Sequence, residues 1–336
     1  MINKKTKFCK AAALLGAAVM MISALAGCGK NTKVVLTAGL KKNEVFRISS
    51  ASCVLPEGMV YLTNMQNQYE SVYGSQIWNA SDGQLSLEQE EREQVLTQLA
   101  RIKVMNLLAQ KKEVTLDDKE KERAAAAGRE YFTSLNSAEV TALNVTQDLI
   151  TKMYEEYALA EKVYQTIVEN VNPEVSDDEA RTITVDMIRV SDSAKASQVL
   201  GKAKEEGVDF ETLAQAESED QTVTQSFGKG EVSEALEKAA FNLGKDEISD
   251  VVESDGSYYI LKCISTFDEA QTKANKEKIV KQRQSEAFDT EYTAFEQTLV
   301  RQLNEELWNS VTMIHQDDVK TSSFFEVYQM YFQHQE

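Results

Sequence analysis

Along most of this chain the apolar positions recur at helical spacing, and only in short stretches does the period fall to two. Val95, Leu99, Ile102, Met105 and Leu108 line one face of a helix that opens at the capping-box sequence "SLEQ" (Ser86 to Gln89). Leu149, Met153, Tyr157, Ala160, Tyr164, Ile167 and Val171 mark another, over residues 146–170, which Pro173 closes. "PEGMVYLTNMQNQYESVYG" predicts a helix behind Pro56, and "TLDD" from Thr115 a charged one. "EVFRISSASCVL" ahead of Pro56 reads as a strand. After the cap "SDDE" (Ser176 to Glu179) the period changes. "TITVDMIRV" is strand-like; two short helices follow, the first ended by Gly207 and the second capped by Asp209. "QTVTQSFGKGEV" reads as a loop, "SEALEKAAFNLG" as a third helix stopped at Gly244, and "EISDVVESDGSYYILK" as a hairpin. From Asp268 a polar helical pattern, with Phe288, Tyr292, Phe295 and Leu299 on one face, runs to about Leu307 without proline or glycine. So long a helix needs partners, which the earlier helices provide. The expectation is an α+β protein: a discontinuous, mainly helical module with a small antiparallel sheet domain inserted.

The first residues have a different grammar. A basic stretch, "MINKKTKFCK", precedes an apolar run and then "LAGC", ending at Cys28. Small residues before a cysteine resemble the lipobox of bacterial lipoproteins, which implies cleavage behind Gly27 and a lipid anchor on Cys28. Losing residues 1–27, with Lys4, Lys5, Lys7 and Lys10, takes the net charge from −18 to −22. So acidic a chain is repelled by nucleic acid and suits an extracytoplasmic space with basic or partly unfolded clients. With only two histidines, His315 and His334, there is little material for imidazole chemistry, and no metal-ligand cluster or phosphate loop appears. Neither a metal nor a cofactor is expected. Cys53 and Cys263 read as buried thiols, with a disulfide between them left open.

"VDMIRV", "DFETLAQAESED", "FGKGEV" and "EKAAFNLGKDEISDVVESDGSYYILK" together resemble a parvulin-type peptidyl-prolyl isomerase domain. The flanking helices and lipobox are similar to those of the PrsA foldase lipoproteins and SurA. The resemblance implies the following division: signal peptide 1–27, anchor and tether 28–43, N-terminal helical chaperone segment 44–175, parvulin-like domain 178–267, long C-terminal helix 268–314 and aromatic tail 315–336. In that family two histidines face each other near an aspartate. Carried over, their positions are Met187 and Tyr258, so both histidines are replaced, while Asp220 retains the acid. The proline pocket maps to Phe227, Val232 and Leu236, with Glu253 in place of a threonine, and the loop before "SFGKG" is shortened. The strand's alternation puts Tyr258 and Tyr259 on opposite faces; the expectation is that Tyr258 fills the site floor with Met187. The implied function is a lipid-anchored extracytoplasmic foldase or chaperone for secreted proteins, with isomerase activity weak or lost. The alternatives are an active isomerase and a non-catalytic envelope-assembly lipoprotein. Partners would be unfolded secreted clients and the membrane, with a homodimer left open.

Overall fold

The computed structural model describes residues 39–80 and 86–333; Cys28, the leader and most of the tether lie outside them. "EVFRISSASCVL" is two strands rather than one. β1 (Glu44–Ile48) turns back at Ser49, whose φ is 50°, into β2 (Ala51–Val54). Helix α1 (Leu55–Tyr73) follows directly, and Glu57 caps it by accepting from the Val54 N–H at 2.7 Å. A 3₁₀ turn (Ser75–Asn79) leads on to α2 (Leu87–Lys111), where Ser86 and Gln89 form the expected reciprocal cap. Then come α3 (Asp118–Ser134), α4 (Ser137–Leu143) and α5 (Gln147–Val168), capped by Asp117, Asn136 and Thr146.

Two compact units emerge: residues up to Asn170 together with those from Ser285 onward, and Val171 to Gln284. The second unit begins with α6 (Asp177–Ala180) and contains β3 (Thr182–Val190), α7 (Ser193–Ala203), α8 (Phe210–Glu217), β4 (Thr224–Gly228), α9 (Glu234–Phe241), β5 (Val252–Ser254) and β6 (Ser257–Ser265). The boundary falls inside α10 (Glu269–Glu296). This helix ends well short of Leu307, because the chain then extends as β7 (Arg301–Leu303) and pairs with β1. α11 (Glu305–Asn309) and α12 (Phe324–Phe332) complete the first unit.

The first unit is organised around aromatic rings brought in from distant parts of the sequence. Phe324 is fully buried, stacked on Tyr154 at 4.5 Å between centroids and meeting Tyr131 edge-on at 5.2 Å. Its backbone is fixed as well: the N–H donates to Asn64 Oδ1 at 3.0 Å, and the Tyr154 hydroxyl donates to its carbonyl at 2.8 Å. Asn64 in turn donates to the Tyr131 hydroxyl at 2.6 Å. The aromatic tail is therefore part of the core. Arg101 lies over the rings of Phe288 and Tyr292, fastening α2 to α10. One buried charge cluster interrupts this core: the Lys103 ammonium contacts Glu57 at 2.8 Å and Glu156 at 2.5 Å. Burial opposes the lysine's charge, but Glu156 and Glu57 outweigh it and hold its pKa above the ordinary value.

The second unit is an antiparallel sheet in the order β4-β3-β6-β5. The segment expected to be a loop supplies β4, paired with the start of β3. β5 and β6 are joined by Asp255 and Gly256, both at positive φ (50° and 74°), the two-residue turn whose twist suits a hairpin. Gly244 does not act as a left-handed stop; α9 ends at Phe241, and the positive φ nearby belongs to Asp246. Ile188, Val190 and Ile260 pack on one sheet face with Ala196, Val199, Phe210 and Ala214 from α7 and α8. Ile183, Val185, Met187 and Leu261 pack on the other with Phe227 and, from α9, Leu236 and Ala240. Cys53 and Cys263 are both buried free thiols.

Candidate functional site

A strand presents alternate residues to opposite faces, so the faces of β3 and β6 decide which side chains can meet. Met187 pairs across the sheet with Leu261, and its side chain is buried among Phe227, Leu236 and Ala240. Val232 borders the same cluster, and the Phe227 ring lies 6.3 Å from that of Phe241. Four of the residues carried over by resemblance, Met187, Phe227, Val232 and Leu236, thus occupy one apolar face.

Tyr258 and Glu253 do not join them. They are cross-strand partners of each other, and Tyr258 packs with Ile188, Val190 and Ile260 on the opposite face. The expectation that Tyr258 lines the floor beside Met187 is therefore corrected by one residue. It is Tyr259 that shares the Met187 face, half-buried, opposite Arg189 on one side and Val252 on the other. On β5 the same step replaces Glu253 with Ser254, a buried residue whose hydroxyl lies 2.7 Å from that of Ser233. A slip of one along a strand exchanges the two faces, which is why both assignments fail together. Counting in twos from the turn at Asp255 and Gly256 groups Glu253 with Tyr258, but the register of β3 on β6 decides which face meets Met187.

Asp220 is paired with Arg189, to which the resemblance assigned no role. Arg189, one pleat beyond Met187, directs its Nε to Asp220 Oδ1 at 2.7 Å. Its Nη1 lies 3.4 Å from the Ser257 hydroxyl and 3.9 Å from Glu219. The hydrogen bond that Arg189 donates to Asp220, reinforced by the carboxylate's charge, holds the guanidinium more firmly protonated than usual. Past Asp186, where pairing with β4 stops, the loop before β4 takes over the free edge of β3. Met187 N–H donates to the Val223 carbonyl, Arg189 N–H to the Ser218 hydroxyl, and Glu219 N–H to the Arg189 carbonyl. Among the described residues no group of His, Cys, Asp and Glu is arranged to hold a metal ion.

Chemically this is an apolar floor with a phenol and a clamped guanidinium at its edge. It holds hydroxyls and a phenol but no imidazole among the described residues. The pattern of the PPIC-type PPIASE domain matches residues 161–278. The second unit is a parvulin-type rotamase domain. Curated proteins similar to the chain include the foldase protein PrsA of Streptococcus pneumoniae, strains Hungary19A-6 and D39. Each is 31% identical over 165 residues, covering 44% of this chain and 53% of the relative. The chain thus spans about half the length of the curated relatives it matches. Among solved structures, PrsA from Bacillus cereus is 19% identical with a TM-score of 0.37, covering 72% of this chain and 91% of that one. A SurA-like chaperone of Campylobacter jejuni is 10% identical with a TM-score of 0.31, covering 77% and 98%. Within the rotamase domain, Met187, Phe227 and Leu236 are all buried in one apolar cluster.

Proposed function

We propose that this protein is an extracytoplasmic, lipid-anchored foldase that assists secreted chains, and that its rotamase domain binds prolyl segments while catalysing their isomerisation weakly or not at all. The observation that most supports the second part is the shared apolar face of Met187 and Tyr259, which carries no imidazole. Rotation about an X-Pro bond crosses a barrier of about 18–20 kcal/mol and needs no covalent step. An enzyme accelerates it by binding the twisted amide better than the planar one. An apolar floor still desolvates that amide, so residual activity is compatible with the site, but the polar contacts that would favour the twisted form are reduced.

A protease-coupled assay on a prolyl peptide tests this. A rate no more than a few times background is expected, and a rate tenfold or more above it overturns the degenerate-site reading in favour of a working isomerase. Anchoring is tested separately. Cys28→Ser should release the protein from membranes, since among the described residues no helix is long and apolar enough to cross one; retention would sink the lipid assignment. Chaperone action by the helical unit predicts that suppression of client aggregation survives deletion of residues 178–267.

A further inference from the structure

Among the described residues Arg189 is the one cation on the pocket side of β3, and its surroundings specify what it can bind. Its backbone is tied on both sides to the loop Ser218–Glu219. Its Nε is engaged by Asp220 and its Nη1 faces Ser257 and Glu219. Its side chain is about a third exposed, at 29%. Among the described residues nothing accepts from Nη2, which leaves its two protons for a ligand while Nε and Nη1 are held. Strand geometry puts the Cα of Arg189 roughly 7 Å from that of Met187, two residues on at about 3.3 Å each. A guanidinium spans that distance easily.

The charge balance selects the ligand class. Asp220 and Glu219 place two carboxylates around one guanidinium, so the local sum is negative and a further anion is disfavoured. A neutral carbonyl oxygen is not, and a charged donor makes a stronger hydrogen bond to it than a neutral one does. Resting on the reading that this face receives prolyl segments, we infer that Arg189 is a substrate-binding residue of the rotamase domain. In this arrangement its Nη2 donates to the carbonyl oxygen of the residue preceding the client's proline, while the ring sits on Met187, Phe227 and Leu236. Asp220 then acts as a positioning residue, aiming the guanidinium.

The test uses the whole mature chain from residue 28 onward and two peptides, Ala-Ala-Pro-Phe amide and its analogue with a thioamide at the residue preceding proline, sulfur being the poorer acceptor. Binding is followed by NMR titration, reading the amides of β3 and β6. For the oxygen peptide, Arg189→Met should weaken binding roughly tenfold, the loss expected of one charge-assisted hydrogen bond. Arg189→Lys should recover part of it. The thioamide should bind the native protein and Arg189→Met alike. Equal weakening of both peptides would mean that Arg189 only shapes the site, and no weakening would mean that it does not touch the client; either result overturns the proposal. Should Arg189→Met fail to fold, Arg189→Gln makes the same comparison with a polar, neutral side chain. If neither peptide perturbs β3 or β6 in the native protein, the client-site reading itself falls, and the Arg189 assignment with it.

Discussion

Glu91 on α2 is 1% exposed, and among the described residues neither carboxylate oxygen has a hydrogen-bond partner. Burial alone pushes its pKa up from 4.5 to about 7. In the unfolded chain the same group ionises near its ordinary value. Below about pH 4.5 both states are protonated, and the folded state's preference for the neutral acid is fully expressed. As pH rises toward 7 the unfolded chain has already lost the proton that the folded chain still holds, so stability declines. Each pH step over which only the folded chain keeps the proton costs about 1.4 kcal/mol, so between pH 5 and pH 8 the loss comes to roughly 2.5 kcal/mol. Glu91→Met removes the titrating group and keeps the volume, so the difference in stability between variant and native protein should widen by that amount over the same interval. The assay is urea denaturation followed by tryptophan fluorescence, since both tryptophans, Trp78 and Trp308, lie in the first unit and report on it selectively. Other shifted carboxyls, including Glu44 (lowered to about 2) and Glu161 (raised), are common to both proteins and cancel in the difference. A difference that stays flat from pH 5 to 8 would refute the claim that Glu91 is buried without a partner.

Lys103→Met should destabilise the first unit by about 3–5 kcal/mol in the same assay, because it leaves Glu57 and Glu156 buried without their cation. Phe324→Ala should cost about 3–5 kcal/mol, seen as a fall in the denaturation midpoint, because it vacates the centre of a ring cluster that does not collapse readily. Met187→His combined with Tyr259→His should raise the prolyl-isomerase rate severalfold, whereas Met187→His with Tyr258→His should not. Equal gains from the two pairs would contradict the assignment of faces.

Much of the helical architecture could be read locally, since caps such as Ser86 with Gln89 and Ser176 with Glu179 are short-range chemistry. What escaped depends on partners far away in sequence. The pattern after Asp268 contains no breaker, yet α10 ends at Glu296, because Arg301–Leu303 finds β1 some 250 residues earlier. β4 is short, with Thr224 and Ser226 exposed and only its last two residues buried, so little in its own sequence distinguishes it from a loop; β3 makes it a strand. Of the residues carried over by resemblance, Met187, Phe227, Val232 and Leu236 share a face, but the sequence did not show the faces, and an error of one put Tyr258 and Glu253 on the wrong side. The Arg189–Asp220 contact joins residues 31 apart, and no motif announced it.

The placement of α12 bears on how such a chain could be delivered. Residues 171–284 are consecutive, so that unit has all its parts once its last residue has emerged. The first unit does not: Tyr131 and Tyr154 are present early, but the ring that stacks between them is Phe324. A chain exported from its N-terminus would carry an aromatic cleft open to its surroundings until nearly all of it had crossed, while the inserted unit was already folded. The order of completion is thus inside first, outside last. A stall or proteolytic nick in residues 310–323 would leave a finished rotamase domain attached to a helical unit missing its centre.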